Sequence, residues 1–232
     1  MARAKRLDMS AIDAVVFDLD NTLLDRTALF AGVAGAFCDE YLAPRDSVTR
    51  NAALELMVLW DEDGYGDRQA MRRRWLTEWP NTGLDDESLA AWYGSAMDRL
   101  ARPDAEVNAM LAELNERGLP WGIVTNGDSD RQRGKIRGAD LDRLAGFIIV
   151  SGEMGYEKPD PRIFRDALEA TGLTAPERVL FVGDTPTADI DGAKRFGMQA
   201  AWVRRGREYP PDLLPPDYVI DRVTEVRGIL GW

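Results

Sequence analysis

Apolar residues fall along this chain in two alternating rhythms. Short, mostly β-branched or aromatic runs, Val15-Val16-Phe17, Trp121-Gly122-Ile123-Val124, Phe147-Ile148-Ile149-Val150, Val179-Leu180-Phe181-Val182 and Ala200-Ala201-Trp202-Val203, have the length and continuity of strands buried on both faces. Between them the apolar positions recur at helical spacing, as with Val107, Met110, Leu111 and Leu114 within 106–117, and Ile163, Phe164, Ala167 and Leu168 after Pro161. Gly118, Gly172 and Gly197 mark helix ends, and Pro161 suits a first helical turn. A short helix is expected from Ser129, another through Ala188 to Phe196, and an edge strand at Tyr218-Val219-Ile220. Strand and helix alternate as they do in a parallel α/β sheet of Rossmann-like type.

Residues 26–100 break that alternation. They read as helices over about 27–42, 47–61, 67–78 and 86–100, divided by Pro44-Arg45-Asp46-Ser47, Asp63-Gly64-Tyr65-Gly66 and Pro80-Asn81-Thr82-Gly83. The expected organisation is a discontinuous α/β core over 1–25 and 101–232, interrupted by an all-helical insertion over 26–100. The aromatics Trp60, Trp75, Trp79, Trp92 and Tyr93 sit at spacings that suit the insertion's own core. Consecutive helical residues point about 100° apart, so Arg72-Arg73-Arg74 cannot share one pocket and should be mostly solvated.

Composition narrows the chemistry. Among 232 residues there is no histidine, which removes His-assisted serine and cysteine hydrolases, histidine phosphatases and His-ligated zinc, and leaves carboxylates as the acid–base groups. One cysteine, Cys38 in Ala36-Phe37-Cys38, allows no internal disulfide and reads as a small buried hydrophobe. A net charge of −11 disfavours nucleic acid while leaving room for a small anion in a locally positive pocket. No apolar run approaches the ~20 residues of a membrane span. The basic start Met1-Ala2-Arg3-Ala4-Lys5-Arg6 leads to Asp8 and Ser10 rather than an apolar stretch, so it reads as a tail, not a secretory signal, and a cytoplasmic protein is expected.

Two strands end in carboxylates. Val15-Val16-Phe17 runs into Asp18-Leu19-Asp20-Asn21-Thr22, and Val179-Leu180-Phe181-Val182 passes through Gly183 into Asp184, with Asp189 five residues on. Ligands of open α/β sheets sit at the carboxyl ends of strands, where these acids can converge. Carboxylates crowded in a partly dry site must take up protons or a cation, and oxygen-only ligands suit magnesium (Mg2+) best. A third strand ends in Thr125-Asn126-Gly127, and Lys158 precedes a helix start in Gly155-Tyr156-Glu157-Lys158-Pro159-Asp160-Pro161.

Taken in order, DLDNT, VTNG, KPDP and GDTPTAD resemble the four motifs of the haloacid dehalogenase-like (HAD) phosphohydrolase superfamily. The insertion is similar to the helical cap that some members carry between motifs one and two. The resemblance implies a phosphatase of the cap-bearing branch, acting on a small phosphorylated metabolite of nucleotide or sugar phosphate type, with Mg2+ as cofactor; a monomer or homodimer is expected. It implies Asp18 as nucleophile and Asp20 as general acid and base. It implies metal ligation by the Asp18 carboxylate, the Asp20 carbonyl and the Asp184 carboxylate, with Asp189 supporting them indirectly. Thr125, the Asn126 amide and Lys158 would hold the phosphoryl oxygens, and Arg45 in the first cap loop would contribute to substrate selectivity. Three alternatives stay open: a phosphomutase, which keeps all four motifs; a haloacid dehalogenase, whose first motif lacks the second aspartate; and a non-catalytic phosphate-binding module. Ala188, where asparagine is common, and the bulky Tyr156 depart from the usual pattern.

Overall fold

The computed structural model describes residues 11–42, 46–64 and 66–232. In chain order, β1 (Ala14–Phe17) is followed by α1 (Arg26–Phe37), α2 (Ser47–Asp61), α3 (Arg68–Glu78) and α4 (Asp86–Leu100). Then come α5 (Ala105–Glu116), β2 (Trp121–Thr125), α6 (Ser129–Gly138), β3 (Phe147–Val150), α7 (Ser151–Met154) and α8 (Pro161–Thr171). The chain continues through β4 (Val179–Gly183), α9 (Gly192–Phe196), β5 (Gln199–Val203), β6 (Tyr218–Ile220) and α10 (Val226–Ile229). Two compact units result: Asp25–Arg102 with Arg133–Ala139, and the remainder.

The second unit carries a six-stranded sheet in the order β3-β2-β1-β4-β5-β6, with every neighbouring pair parallel. The central strands β1, β2 and β4 are buried throughout, which is why they read as continuous apolar runs rather than alternating ones. Strand order reverses between β1 and β4, whose register pairs Phe17 with Val182, so the ends that carry Asp18 and Asp184 are adjacent at the switch point. One core cluster joins Val16, Phe181 and Trp202 to Ile163, Phe164 and Leu168, the apolar face of α8. Thr171 and Gly172 end that helix as expected, Gly172 with a left-handed φ of 76°.

The helical unit has an aromatic centre. Phe37 packs on Trp75 with ring centroids 4.7 Å apart and edge-on against Trp92 at 5.4 Å, while Phe30 meets both Trp75 and Tyr93. Cys38 is buried, and burial raises its thiol pKa, as suits a packing residue. Of the arginine triplet only Arg72 is buried, donating to Asp86 at 3.0 Å; Arg73 and Arg74 are exposed. The first helix gives way after Phe37 to π-helical turns over Cys38–Leu42. The end of α6 groups with this unit because Gly134 and Gly138, one turn apart, present no side chain: an added Cβ would collide with Asp98 and Ala101. Arg45 and the rest of 43–45, Tyr65 and the amino-terminal tail lie outside the described residues.

Candidate active site

The loop after β1 is closed by its own backbone. Leu19 O accepts from the amides of Thr22, Leu23 and Leu24, and the leucines at 19, 23 and 24 are buried under the turn. Asn21 sits at φ 61°, a left-handed conformation that asparagine tolerates better than most residues, and Arg205 holds its side-chain oxygen at 2.8 Å. Asp18 is fixed to the neighbouring strand through its amide, which donates to Val182 O at 2.9 Å.

Lys158 crosses to meet it. Its Nζ donates to Asp18 Oδ1 at 2.7 Å and to Val124 O at 2.8 Å, and lies 2.7 Å from Asp189 Oδ1 without hydrogen-bond alignment. The loop bearing it is clamped by Asn126, whose Nδ2 donates to Lys158 O and whose Oδ1 accepts from Lys158 N, both at 2.9 Å. Asp160 then caps α8 by accepting from Arg162 N at 2.9 Å, with Pro161 in the first turn.

The far wall comes from β4. An added Cβ at Gly183 would lie 2.4 Å from Asp189 Cγ, so only glycine admits the Asp189 carboxylate against the strand. Asp189 Oδ2 accepts from Thr185 N at 2.9 Å, while Oδ1 is buried with no directional partner. Arg207 donates to Asp184 Oδ2 at 2.9 Å and to its carbonyl at 2.8 Å; the carbonyl also receives the Trp202 indole N–H at 3.0 Å. Thr125 is buried at the end of β2, and Asp20, partly exposed, accepts from Gln132 at 3.2 Å.

Ligand-capable oxygens of Asp18, Asp184 and Asp189 lie within 4.8 Å of one another, and all three residues are buried. Two unit charges at that spacing repel by about 3–4 kcal/mol at an effective dielectric near 20. Burial accordingly pushes the Asp18 carboxyl up to about 8, with Lys158 opposing and Asp189 and Asp184 adding to the rise. Burial, then Asp189, lifts Asp184 to about 6 against the pull of Arg207. Burial works against the Lys158 ammonium, but Asp18 and Asp189 outweigh it and hold its pKa above the ordinary lysine value. Three buried acids face one buried ammonium and the Arg207 guanidinium, so acids outnumber cations and the site must hold a proton or a cation to stay balanced. Its donors are all oxygen, and one buried carboxylate oxygen lacks a directional hydrogen bond, so the set fits a hard divalent cation such as Mg2+.

A family model for haloacid dehalogenase-like hydrolases matches residues 12–197. The chain belongs to that family. It is 34% identical to a phosphoserine phosphatase of Thermus thermophilus over 91% of this chain and 96% of the relative. It is 31% identical to a glyceraldehyde 3-phosphate phosphatase of Pyrococcus furiosus over 96% and 93%. Among solved structures, the HAD-hydrolase YfnB of Bacillus subtilis, bound to magnesium, shares the fold with a TM-score of 0.75 at 23% identity, covering 96% of this chain and all of that one.

In this HAD-like hydrolase Asp18, Lys158, Asp184 and Asp189 meet in one cluster, with Thr125 and Asn126 on the adjoining strand end. The Asp20 carboxylate stands outside the three-acid group. Three contributors escaped the sequence reading: Gln132, Arg205 and Arg207. Gln132 lies in the polar run Ser129-Asp130-Arg131-Gln132-Arg133, and the arginines follow the last residue of β5, so none carries an apolar pattern or a charge run pointing to the site. The Tyr156 hydroxyl donates to Asp166 on α8, and the ring packs on the core and under the Arg162 guanidinium at 4.4 Å. That hydroxyl is committed to α8.

Proposed function

We propose that the protein is a Mg2+-dependent phosphatase that hydrolyses a small-metabolite phosphomonoester through an aspartyl-phosphate. The observation that carries this reading is the Lys158 ammonium 2.7 Å from the Asp18 carboxylate, inside a buried cluster of acids at the ends of β1 and β4. A carboxylate so placed is a nucleophile whose approach to an anionic phosphoryl group needs positive charge beside it. When bound by the Asp18 and Asp184 carboxylates and the Asp20 carbonyl, with Asp189 in support, Mg2+ would offset the charge of substrate and nucleophile.

The steps that fall to the chain's own residues follow. An Asp18 oxygen bonds to phosphorus as the bond to the leaving oxygen breaks, and the Asp20 carboxyl gives that oxygen its proton. Asp20, now ionised, takes a proton from water, whose oxygen attacks the aspartyl-phosphate; inorganic phosphate leaves and Asp18 is regenerated. Lys158, the Thr125 hydroxyl and the Asn126 amide hold the phosphoryl oxygens throughout. A haloacid dehalogenase needs no proton donor for its halide, so Asp20 argues for phosphate. Phosphatase names among relatives that align over nearly the whole chain support the same choice. In this reading the helical unit is a cap that selects the leaving group, and Arg45 in its first loop would contribute to that selectivity.

The test is a panel of phosphorylated metabolites with Mg2+. Free phosphate, lost in Asp18→Asn by several powers of ten and lost reversibly in EDTA, is the expected result. An isomerised sugar phosphate indicates a mutase, and halide release from 2-haloacids without metal indicates a dehalogenase. No turnover by a folded protein leaves a binding module. An Asp18→Asn enzyme keeping a tenth of wild-type kcat ends the covalent mechanism.

A further inference from the structure

Gln132 is 1% exposed although it lies in one of the most polar stretches of the chain. Its Nε2 faces three oxygens: Asp20 Oδ2 at 3.2 Å, Thr125 Oγ1 at 2.5 Å and Asn126 O at 3.0 Å. A carboxylate and a peptide carbonyl only accept, so the amide must present its nitrogen to them, and the orientation of the side chain is dictated by its neighbours. Two N–H bonds serve three acceptors. Thr125 Oγ1, receiving one of them, keeps its own proton for a different partner.

The backbone is built to admit this side chain. Gly127, at φ 135°, turns the chain so that α6 begins directly behind the strand end, and an added Cβ there would press on Gln132 Cγ and Cδ at 3.3 Å. The Gln132 amide is in turn tied to Asp128 O at 3.0 Å. Asp20, by contrast, is partly exposed and stands on a tight loop. A buried donor, itself held by Thr125 and Asn126, fixes one of its oxygens before substrate arrives.

We propose that Gln132 is a positioning residue that aims the Asp20 carboxyl at the leaving-group oxygen, using Thr125 and Asn126 as its fixed points. The proposal rests on the reading of Asp20 as the acid–base group. It is separated from that reading by kcat/KM, which in this mechanism reports only phosphoryl transfer to Asp18, the step in which Asp20 acts as acid. Gln132→Met keeps the length and removes both donors. Its kcat/KM should fall roughly ten- to hundredfold on alkyl phosphates, whose leaving oxygen needs a proton. On p-nitrophenyl phosphate, whose leaving group departs as an anion, it should change less than about threefold. A series of aryl phosphates should show a steeper dependence on leaving-group basicity than wild type.

Gln132→Glu, isosteric but without an N–H and with a charge facing Asp20, should show the same split more strongly. It decides the matter if the methionine variant does not fold by circular dichroism. Equal losses on good and poor leaving groups, or none, overturn the positioning role while leaving the phosphatase reading standing. A wild-type protein that hydrolyses no phosphomonoester overturns both.

Discussion

Asp18→Asn should make the metal-free protein more stable while abolishing its chemistry. Asp18 is buried, with the carboxylates of Asp184 and Asp189 within 4.8 Å, and its pKa stands at about 8 against an ordinary 3.8, chiefly through burial. A carboxyl raised on folding contributes fully below the unfolded pKa and loses that contribution as pH climbs toward the folded one. The window runs from 3.8 to about 8. Near pH 7 the wild-type unfolded chain gains by ionising while the folded one does not, a difference on the order of a few kcal/mol that shrinks as pH falls toward 5. Asparagine does not titrate, keeps an oxygen for Lys158, and offers an N–H to its acidic neighbours. The variant should therefore gain about 2–4 kcal/mol near pH 7, a rise in Tm on the order of 5–10 °C. Thermal melts of both proteins in EDTA at pH 5 and pH 7 test this, and Mg2+ should then raise the wild-type Tm by more than the variant's. A wild type at least as stable as Asp18→Asn at pH 7 without metal, or a difference that does not grow with pH, would refute the argument from burial and charge crowding.

Two other perturbations are worked directly from packing. Gly183→Ala places a Cβ 2.4 Å from Asp189 Cγ, so it should cost about 1–3 kcal/mol in denaturant melts and weaken Mg2+ binding measured by calorimetry, through displacement of Asp189. In the helical unit Arg26 and Asp61 form a buried two-pronged ion pair, with Arg26 Nη2 2.6 Å from Asp61 Oδ1. Asp61→Asn removes the carboxylate opposite this buried guanidinium and should cost about 3–5 kcal/mol, whereas the double change Arg26→Met with Asp61→Leu should recover most of that loss in the same melts.

What the sequence made legible is what strand physics dictates locally. A run such as Val15-Val16-Phe17, buried on both faces, has to end where the backbone leaves the sheet, and a carboxylate placed there has to face the ligand edge. Sequence alone thus pairs Asp18 with Asp184, and Lys158 stands out by its place ahead of the Pro161 helix start. Gln132, Arg205 and Arg207 were not legible because their roles depend on where the chain returns. Gln132 comes back behind β2 only because Gly127 turns at φ 135°, and Arg207 reaches Asp184 only because β4 and β5 are neighbours in the sheet. Nor does spacing reveal that the end of α6 groups with the insertion, since that follows from two glycines meeting Asp98 and Ala101. The strand-end acids Asp18 and Asp184 are fixed by local backbone rules, while Gln132 and Arg207 depend on neighbours far away in sequence.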